Sequence, residues 1–177
     1  AVAAADATMK SAQDLNAQGK SPEAQAALES AKGQLGRARD LYRSARADLS
    51  RDPEVLKEFA ALCERLRDTD LAGEAYLRAA ELHPDDPASA ALWYGAGHNF
   101  AASGGRYLSR AAEPLDRAER LLSAGATGVS RADIEATRGD ISFKSGAYDI
   151  AMKRYTAALA ADPQNLRARM LAACGAL

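Results

Sequence analysis

The residues of this sequence that could carry chemistry are few and widely separated. His83 and His98 are its two histidines, and neither has a cysteine or a second histidine at the spacing of metal ligands. Cys63 and Cys174 are its two cysteines, and their distance along the chain predicts free thiols rather than a disulfide framework. Glycine-rich phosphate loops, serine nucleophile elbows and zinc-protease motifs do not occur. We therefore expect no enzymatic activity, no metal and no cofactor.

Neighbouring carboxylates are the other candidates for acid–base chemistry. Asp85 and Asp86 are adjacent in a predicted turn, whereas Glu113 and Asp116 share a predicted helix surface. Carboxylates in such places are usually solvated charges without a catalytic role. These pairs therefore favour the same non-enzymatic interpretation.

The composition indicates an all-α protein. Hydrophobic residues make up 47% and charged residues 27% of the 177 positions, which is typical of a soluble chain with a core. Aromatic residues contribute only 6%, and much of the apolar content is alanine, which suits helices that approach closely. A net charge of -1 lacks the basic excess of nucleic-acid binders. No apolar run reaches the length of a membrane span, so we expect a soluble protein without membrane insertion, in the cytoplasm or the periplasm.

Residues 53–86 predict a helix, a turn and a second helix. Pro53 suits the first turn of a helix, where its missing N–H would have no intrahelical partner. Residues 67–70 interrupt the apolar face, and Pro84 ends the second helix. The apolar positions recur at helical spacing, at Leu56, Phe59, Ala60, Cys63, Leu71, Ala72, Ala75, Tyr76, Ala79 and Leu82. Two helices of this size cannot bury such faces alone, so the unit predicts stacked copies.

Copies of this unit precede and follow it. An alanine, a tyrosine, a second alanine and a proline recur 34 residues apart, at Ala38, Tyr42, Ala45 and Pro53 and again at Ala72, Tyr76, Ala79 and Pro87. A further copy places Ala151, Tyr155, Ala158 and Pro163 at the spacing of Ala72, Tyr76, Ala79 and Pro84. At these residues the chain resembles the tetratricopeptide repeat (TPR) family, whose repeat of about 34 residues is a helical hairpin. Arg67 stands where that family usually has a glycine, and Arg138 where it usually has a leucine.

The resemblance implies an all-α fold, an α-solenoid of stacked antiparallel helical hairpins wound into a right-handed superhelix. It also implies a non-catalytic protein–protein interaction module or assembly scaffold. The chain is interpreted as one continuous domain whose parts are an N-terminal hairpin at 1–52, a degenerate repeat or cap; TPR-like repeats at 53–86, 87–130 and 131–165; and a capping or truncated helix at 166–177.

Two features depart from regular hairpins. The apolar spacing after Leu28 continues to Leu49, while Gly33 and Gly36 weaken it, so the pattern allows one long, bent helix or a break near residue 33. Pro114 falls inside the predicted second helix of the third hairpin, where we expect it to remove a hydrogen bond and bend the helix.

The family's inward-facing positions, carried onto this sequence, predict the binding surface. They include four acids, Glu54, Glu64, Asp133 and Asp140, which face one lysine, and Arg167 adds a second positive charge. The only large apolar anchors at these positions are Tyr94 and Phe143. We therefore expect a partner protein or peptide segment of basic, partly apolar character. The candidate partner-binding residues are Lys57, Tyr94, His98, Asp140 and Phe143.

Other functions remain compatible with this pattern. A structural spacer within a larger complex would leave a similar sequence, as would the recruiting arm of an enzyme whose catalytic domain lies elsewhere. Some family members grip the C-terminal carboxylate of chaperones, and only Lys57 falls on one of the positions that they use. We therefore expect this chain to lack that clamp.

Overall fold

The computed structural model describes residues 2–49, 51–165 and 167–170, with the side chains of 45–49 left out. Within these ranges the secondary structure is helical and contains no strand. The α-helices are α1 (Val2–Ala17), α2 (Ser21–Leu49), α3 (Pro53–Arg65), α4 (Thr69–Leu82), α5 (Ala90–Ser103), α6 (Ala112–Ser123), α7 (Arg131–Lys144) and α8 (Tyr148–Ala161), and residues 167–170 are also helical. Consecutive helices pack as antiparallel pairs along the chain. The predicted all-α class of stacked helical hairpins is confirmed.

Local capping explains where two first helices begin. The Asp52 carboxylate accepts hydrogen bonds from the backbone N–H groups of Glu54 at 3.0 Å and Val55 at 3.4 Å, so it caps α3 next to Pro53. Ser130 caps α7, because its hydroxyl accepts a hydrogen bond from the Asp133 N–H at 3.1 Å. Each cap satisfies backbone donors that the helix itself leaves without partners.

Small residues let the helices approach closely. Ala72, Ala79, Ala151, Tyr155 and Ala158 are buried, whereas Tyr76 is half-buried. The aromatic rings of the second helices lie over glycines. A Cβ added at Gly139 would come within 2.3 Å of the Tyr155 ring, and one added at Gly95 within 3.0 Å of the Tyr76 ring. The alanine and glycine content seen in the sequence therefore sets the spacing of the helices.

The third hairpin differs from the prediction at Pro114. A 3₁₀ turn over Gly105–Arg110 follows α5, and α6 begins only at Ala112. Pro114 therefore lies in the first turn of α6, where a backbone N–H has no intrahelical acceptor to lose. The expected loss of a hydrogen bond and the expected bend were wrong, because the sequence pattern placed the start of this helix too early.

The N-terminal region is organised by α2, which is continuous from Ser21 to Leu49. Of the two alternatives that the sequence left open, the structure has the long helix and not the break. An added Cβ at Gly33 or Gly36 would meet nothing within 4 Å. The helix packs against both α1 and α3. The shared apolar cluster contains Ala5, Leu35, Ala38 and Leu62, with Val2, Met9, Tyr42 and Leu66 against it.

The remaining expectations concern the thiols and the chain end. Cys63 is a buried free thiol, and burial raises its pKa to about 12. Cys174 and most of the predicted helix at 166–177 lie outside the described residues. None of the helices described is both long and apolar enough to cross a membrane.

Candidate functional site

Three of the predicted binding residues come together where α5, α7 and the helical residues 167–170 meet. Tyr94 and His98 lie one turn apart on α5, and their rings stack with centroids 5.6 Å apart. Thr137 of α7 is completely buried, and its hydroxyl lies 3.4 Å from the Tyr94 hydroxyl. Asp140 lies about one turn further along α7. Tyr94, His98 and Asp140 are half-buried and lie around the buried Thr137, and together they form what is called here the inner surface, across two first helices.

Arg167 links the members of this surface. Its guanidinium donates hydrogen bonds to His98 Nδ1 at 3.1 Å and to Thr137 Oγ1 at 3.2 Å, and it forms an ion pair with the Asp140 carboxylate. Asp140 also accepts a hydrogen bond from the Tyr155 hydroxyl at 3.0 Å. The charge of Asp140 is therefore compensated within the chain.

The imidazole of His98 is neutral at pH 7. Burial, with a smaller contribution from the nearby Arg167 charge, lowers its pKa to about 4. A neutral imidazole has one nitrogen that accepts, and because Nδ1 accepts from Arg167, the proton lies on Nε2. Burial also raises the pKa of the Tyr94 hydroxyl, which stays protonated. The stacked pair is therefore an uncharged aromatic surface.

Lys57 and Phe143 make separate contacts. The Lys57 ammonium lies 3.4 Å from the Glu54 carboxylate, one turn earlier on α3, and both side chains are exposed. Phe143 is 45% exposed near the end of α7, and its ring meets the edge of the Tyr148 ring at a centroid distance of 5.2 Å. Phe143 is therefore available to a partner, whereas Lys57 already neutralises one of the predicted acids.

The other two inward acids are held by neutral donors. The Glu64 carboxylate accepts hydrogen bonds from the Asn99 amide at 2.6 Å and from the Tyr76 hydroxyl at 3.2 Å. Asp133 accepts a hydrogen bond from the Asn165 amide at 3.2 Å. Among the residues that the structure describes, no cation forms an ion pair with either carboxylate, so both keep their negative charge. The four acids expected from the sequence therefore fall into two pairs of different electrostatic character.

Sequence reasoning did not identify the polar network on the other side of α7. The Arg138 guanidinium contacts the carboxylates of Asp116 at 2.5 Å, Glu119 at 2.7 Å and Glu135 at 3.2 Å. Arg154 of α8 adds a second ion pair to Glu135 at 2.9 Å. The only signal in the sequence was the arginine that stands where TPR repeats usually have a leucine. This network fastens α7 to α6 and α8.

The site offers stacking and hydrogen bonding. Across the parts of the chain that are described, no group of histidine, cysteine, aspartate and glutamate side chains could hold a metal ion. The surface presents an imidazole nitrogen, a hydroxyl and a carboxylate beside the stacked rings of Tyr94 and His98. Such an arrangement suits the binding of a side chain or a peptide segment.

Comparisons with known proteins bear on the fold. No protein-family model and no curated protein matches this sequence. Among solved structures, a chain in the crystal structure of the APC/C hetero-tetramer Cut9-Hcn1 is similar over 97% of this chain, with 18% identity and a TM-score of 0.60. This chain covers 36% of the length of that one. TTC0263, a thermophilic TPR protein of Thermus thermophilus, aligns over 97% of this chain and 98% of its own, with 17% identity and a TM-score of 0.36.

The helices themselves identify the architecture. The hairpins α3–α4 and α7–α8 place the recurring alanines and tyrosines where neighbouring helices cross, and most of these residues are buried. The similarity to the longer Cut9-Hcn1 chain extends over nearly all of this chain. The chain therefore has the fold of a tetratricopeptide-repeat solenoid.

Proposed function

We propose that this chain is a non-catalytic protein-interaction module whose inner surface binds an extended or helical segment of a partner protein. The observation that supports it most is the half-buried, stacked pair of Tyr94 and His98. The exposed ring of Phe143, on the neighbouring first helix α7, stands at a position that the family resemblance predicts to face the same way. Aromatic side chains contribute much of the energy of protein interfaces, because they bury a large area at a small cost in entropy.

The charges of the inner surface favour a basic segment. Glu64 and Asp133 keep uncompensated negative charge, since their hydrogen-bond donors are neutral. Asp140 and Glu54 add little, because Arg167 and Lys57 pair with them. A partner segment with lysine or arginine near an apolar side chain would match both features. Its affinity should fall as salt rises, because exposed ion pairs are screened.

Site-specific crosslinking tests the location of the partner. The exposed Ala91 lies on α5 about one turn before Tyr94. A photoreactive residue at Ala91 or at Phe143 would test the predicted binding surface, and one at the exposed Leu41 of α2 would serve as the control position. We expect the first two positions to crosslink one shared partner that the third does not. The double variant Tyr94→Ala, Phe143→Ala should lose this partner, whereas Leu41→Ala should retain it. Retention by the folded double variant would contradict the proposal.

A structural spacer is the second candidate. It is favoured by the internal pairing of inner side chains, such as Asn99 with Glu64 and Arg167 with Asp140. This chain aligns with 36% of the length of the chain in the Cut9-Hcn1 structure, as a section of a longer solenoid would. A spacer would crosslink only to adjoining parts of its own assembly, and the loss of both aromatic rings would leave those contacts unchanged.

A further inference from the structure

The surroundings of Arg167 have the form of a receptor for a guanidinium group. Three acceptors of different chemistry converge on it, the imidazole nitrogen of His98, the hydroxyl of Thr137 and the carboxylate of Asp140. One guanidinium nitrogen meets the first two and the other meets the carboxylate. A planar fork of donors fits this arrangement, whereas the point charge of an ammonium group does not.

The acceptors are positioned by contacts that do not involve Arg167. The Tyr155 hydroxyl donates to Asp140 at 3.0 Å from α8, and the stacked Tyr94 ring supports the imidazole of His98 at 5.6 Å. Thr137 donates to the backbone oxygen of Asp133 at 2.9 Å, which leaves its oxygen lone pairs toward the guanidinium. The pocket is thus built by α5, α7 and α8, and Arg167 enters it from a different segment.

We propose that His98, Thr137 and Asp140 form an arginine-binding pocket, which Arg167 fills in this structure and which an arginine of the bound protein segment fills in its place. The second half of this statement rests on the proposed function; the pocket itself does not. The Arg167 side chain is 33% exposed, so its site opens onto the inner surface. The arginine would then be the basic feature of the partner that this surface selects.

Competition between the two arginines sets a threshold for binding. An arginine of the partner would make the same hydrogen bonds and ion pair as Arg167. Arg167 has the advantage that it belongs to the same chain as the pocket, which gives it a high effective concentration. A single free arginine therefore displaces it poorly, and a segment succeeds only if it also contacts Tyr94 or Phe143. Removing the Arg167 side chain should strengthen the binding of an arginine from outside the chain. If Arg167 leaves the pocket empty in a tenth of the molecules, the gain in affinity should be about tenfold. A residue that binds the partner itself would show the opposite effect.

Chemical rescue of the full 177-residue chain tests the pocket without a partner. The variant Arg167→Ala is titrated with N-acetylarginine amide, with the lysine analogue and with the neutral isostere N-acetylcitrulline amide. The melting temperature and the NMR shift of the His98 imidazole nitrogens are followed. We expect saturable stabilisation and a His98 shift with the arginine probe, with the lysine probe about tenfold weaker, the difference that one charge-assisted hydrogen bond makes. The citrulline probe should have no effect.

Matched variants complete the test. Arg169→Ala removes an exposed arginine from the same helical segment and should show no rescue. Adding Asp140→Asn to Arg167→Ala should abolish the rescue. If Arg167→Ala does not fold, Arg167→Lys keeps the charge and the stem, and the arginine probe should still shift His98 in it. Equal responses to arginine and lysine probes, or no response in any Arg167 variant, would overturn the proposal.

The rescue and the crosslinking experiments fail independently. Rescue without an inner-surface partner leaves the pocket in place and removes the proposed function. A crosslinked inner-surface partner without rescue supports the function and removes the pocket.

Discussion

The α3–α4 turn and the middle of α7 each contain an arginine where TPR repeats usually have another residue, and the two arginines differ in what they do. Arg67, in the turn, has a φ of 62° and an exposed side chain. The corresponding residue of the α7–α8 turn is Gly146, with a φ of 82°. A left-handed backbone is costly for a residue with a Cβ and free of that cost for glycine. The first departure from the pattern is therefore a point of local strain.

Arg138, in the middle of α7 and facing α6, makes ion pairs where a leucine would pack. Its side chain is only 17% exposed, and it contacts acids on both α6 and α7. Ile134, one turn earlier on α7, belongs to the apolar cluster that contains Trp93 and Leu115. The α7 stripe is thus apolar at Ile134 and ionic at the position where a leucine would continue it. At Arg138, therefore, ion pairs hold α6 and α7 together where apolar packing would do so in other TPR repeats.

Two departures that look alike in the sequence therefore have opposite consequences. Restoring the family residue should stabilise the protein at Arg67 and destabilise it at Arg138. The position of an arginine in the repeat does not tell whether it strains the backbone or forms stabilising ion pairs. That outcome depends on the backbone angle and on the neighbouring charges.

The largest effect is expected for Arg138→Leu. This change removes the cation that Asp116, Glu119 and the 7%-exposed Glu135 share. Glu135 keeps its ion pair with Arg154, so the cost arises from three lost charge-assisted contacts, which together should amount to about 3 kcal/mol. Unfolding by urea, monitored by circular dichroism, measures it. Arg131→Leu is the control, because Arg131 contacts the same Glu119 at 3.8 Å but is 70% exposed. It should cost less than about 0.5 kcal/mol. A stabilised Arg138→Leu would show that the family packing is still available here.

The register that places both arginines is tested by Ala72→Leu. Ala72 is completely buried in α4, and the larger side chain should destabilise the fold by about 2 kcal/mol, as overpacking of a helix crossing does. Ala61→Leu adds the same atoms at an exposed position of α3 and should be close to neutral. Melting curves of the two variants give the comparison. Equal melting of Ala72→Leu and the parent would refute the assigned register.

Much of the fold followed from the sequence, because the TPR pattern consists of small residues at helix crossings. The positions of Ala72, Ala151 and Ala158 identified buried faces without any knowledge of their partners. The start of α6 did not follow, because a 3₁₀ turn and an α-helix share the same local preferences near Pro114.

Less of the candidate site could be predicted. Tyr94, His98 and Asp140 were correctly placed on neighbouring first helices, since helical spacing fixes which residues share a face. Their partners were not foreseen, because hydrogen bonds between helices depend on the reach and rotamers of long side chains such as Arg167. The exposed ion pair of Lys57 with Glu54 was not foreseen either, and a contact of Lys57 with a partner stays a prediction.

A smaller effect is expected when an arginine is introduced at the left-handed position of the α7–α8 turn. Gly146→Arg puts into the α7–α8 turn the residue type that the α3–α4 turn already has. Because Gly146 has a left-handed backbone, the arginine should cost about 1 kcal/mol. Nothing lies within 4 Å of an added Cβ there, so the cost should come from the backbone alone. Gly146→Ala should therefore cost the same in urea unfolding. A much larger loss for arginine than for alanine would instead indicate a side-chain clash.

The smallest effect is expected for Arg67→Gly, which relieves the strain. Glycine removes the penalty of the left-handed backbone but also gives the unfolded chain more freedom, so the net gain should be only about 0.5 kcal/mol. The backbone hydrogen bonds of the turn, from the Arg67 N–H to Glu64 and from the Asp68 N–H to Cys63, should persist in the variant. Arg67→Ala separates the two contributions, because it removes the charge and keeps the Cβ. We expect glycine to raise the urea midpoint and alanine to leave it unchanged. If both variants raised the urea midpoint equally, the charge of Arg67 rather than its backbone conformation would be the source of the instability. Arg67 and Arg138 would then differ only in whether their charges are paired.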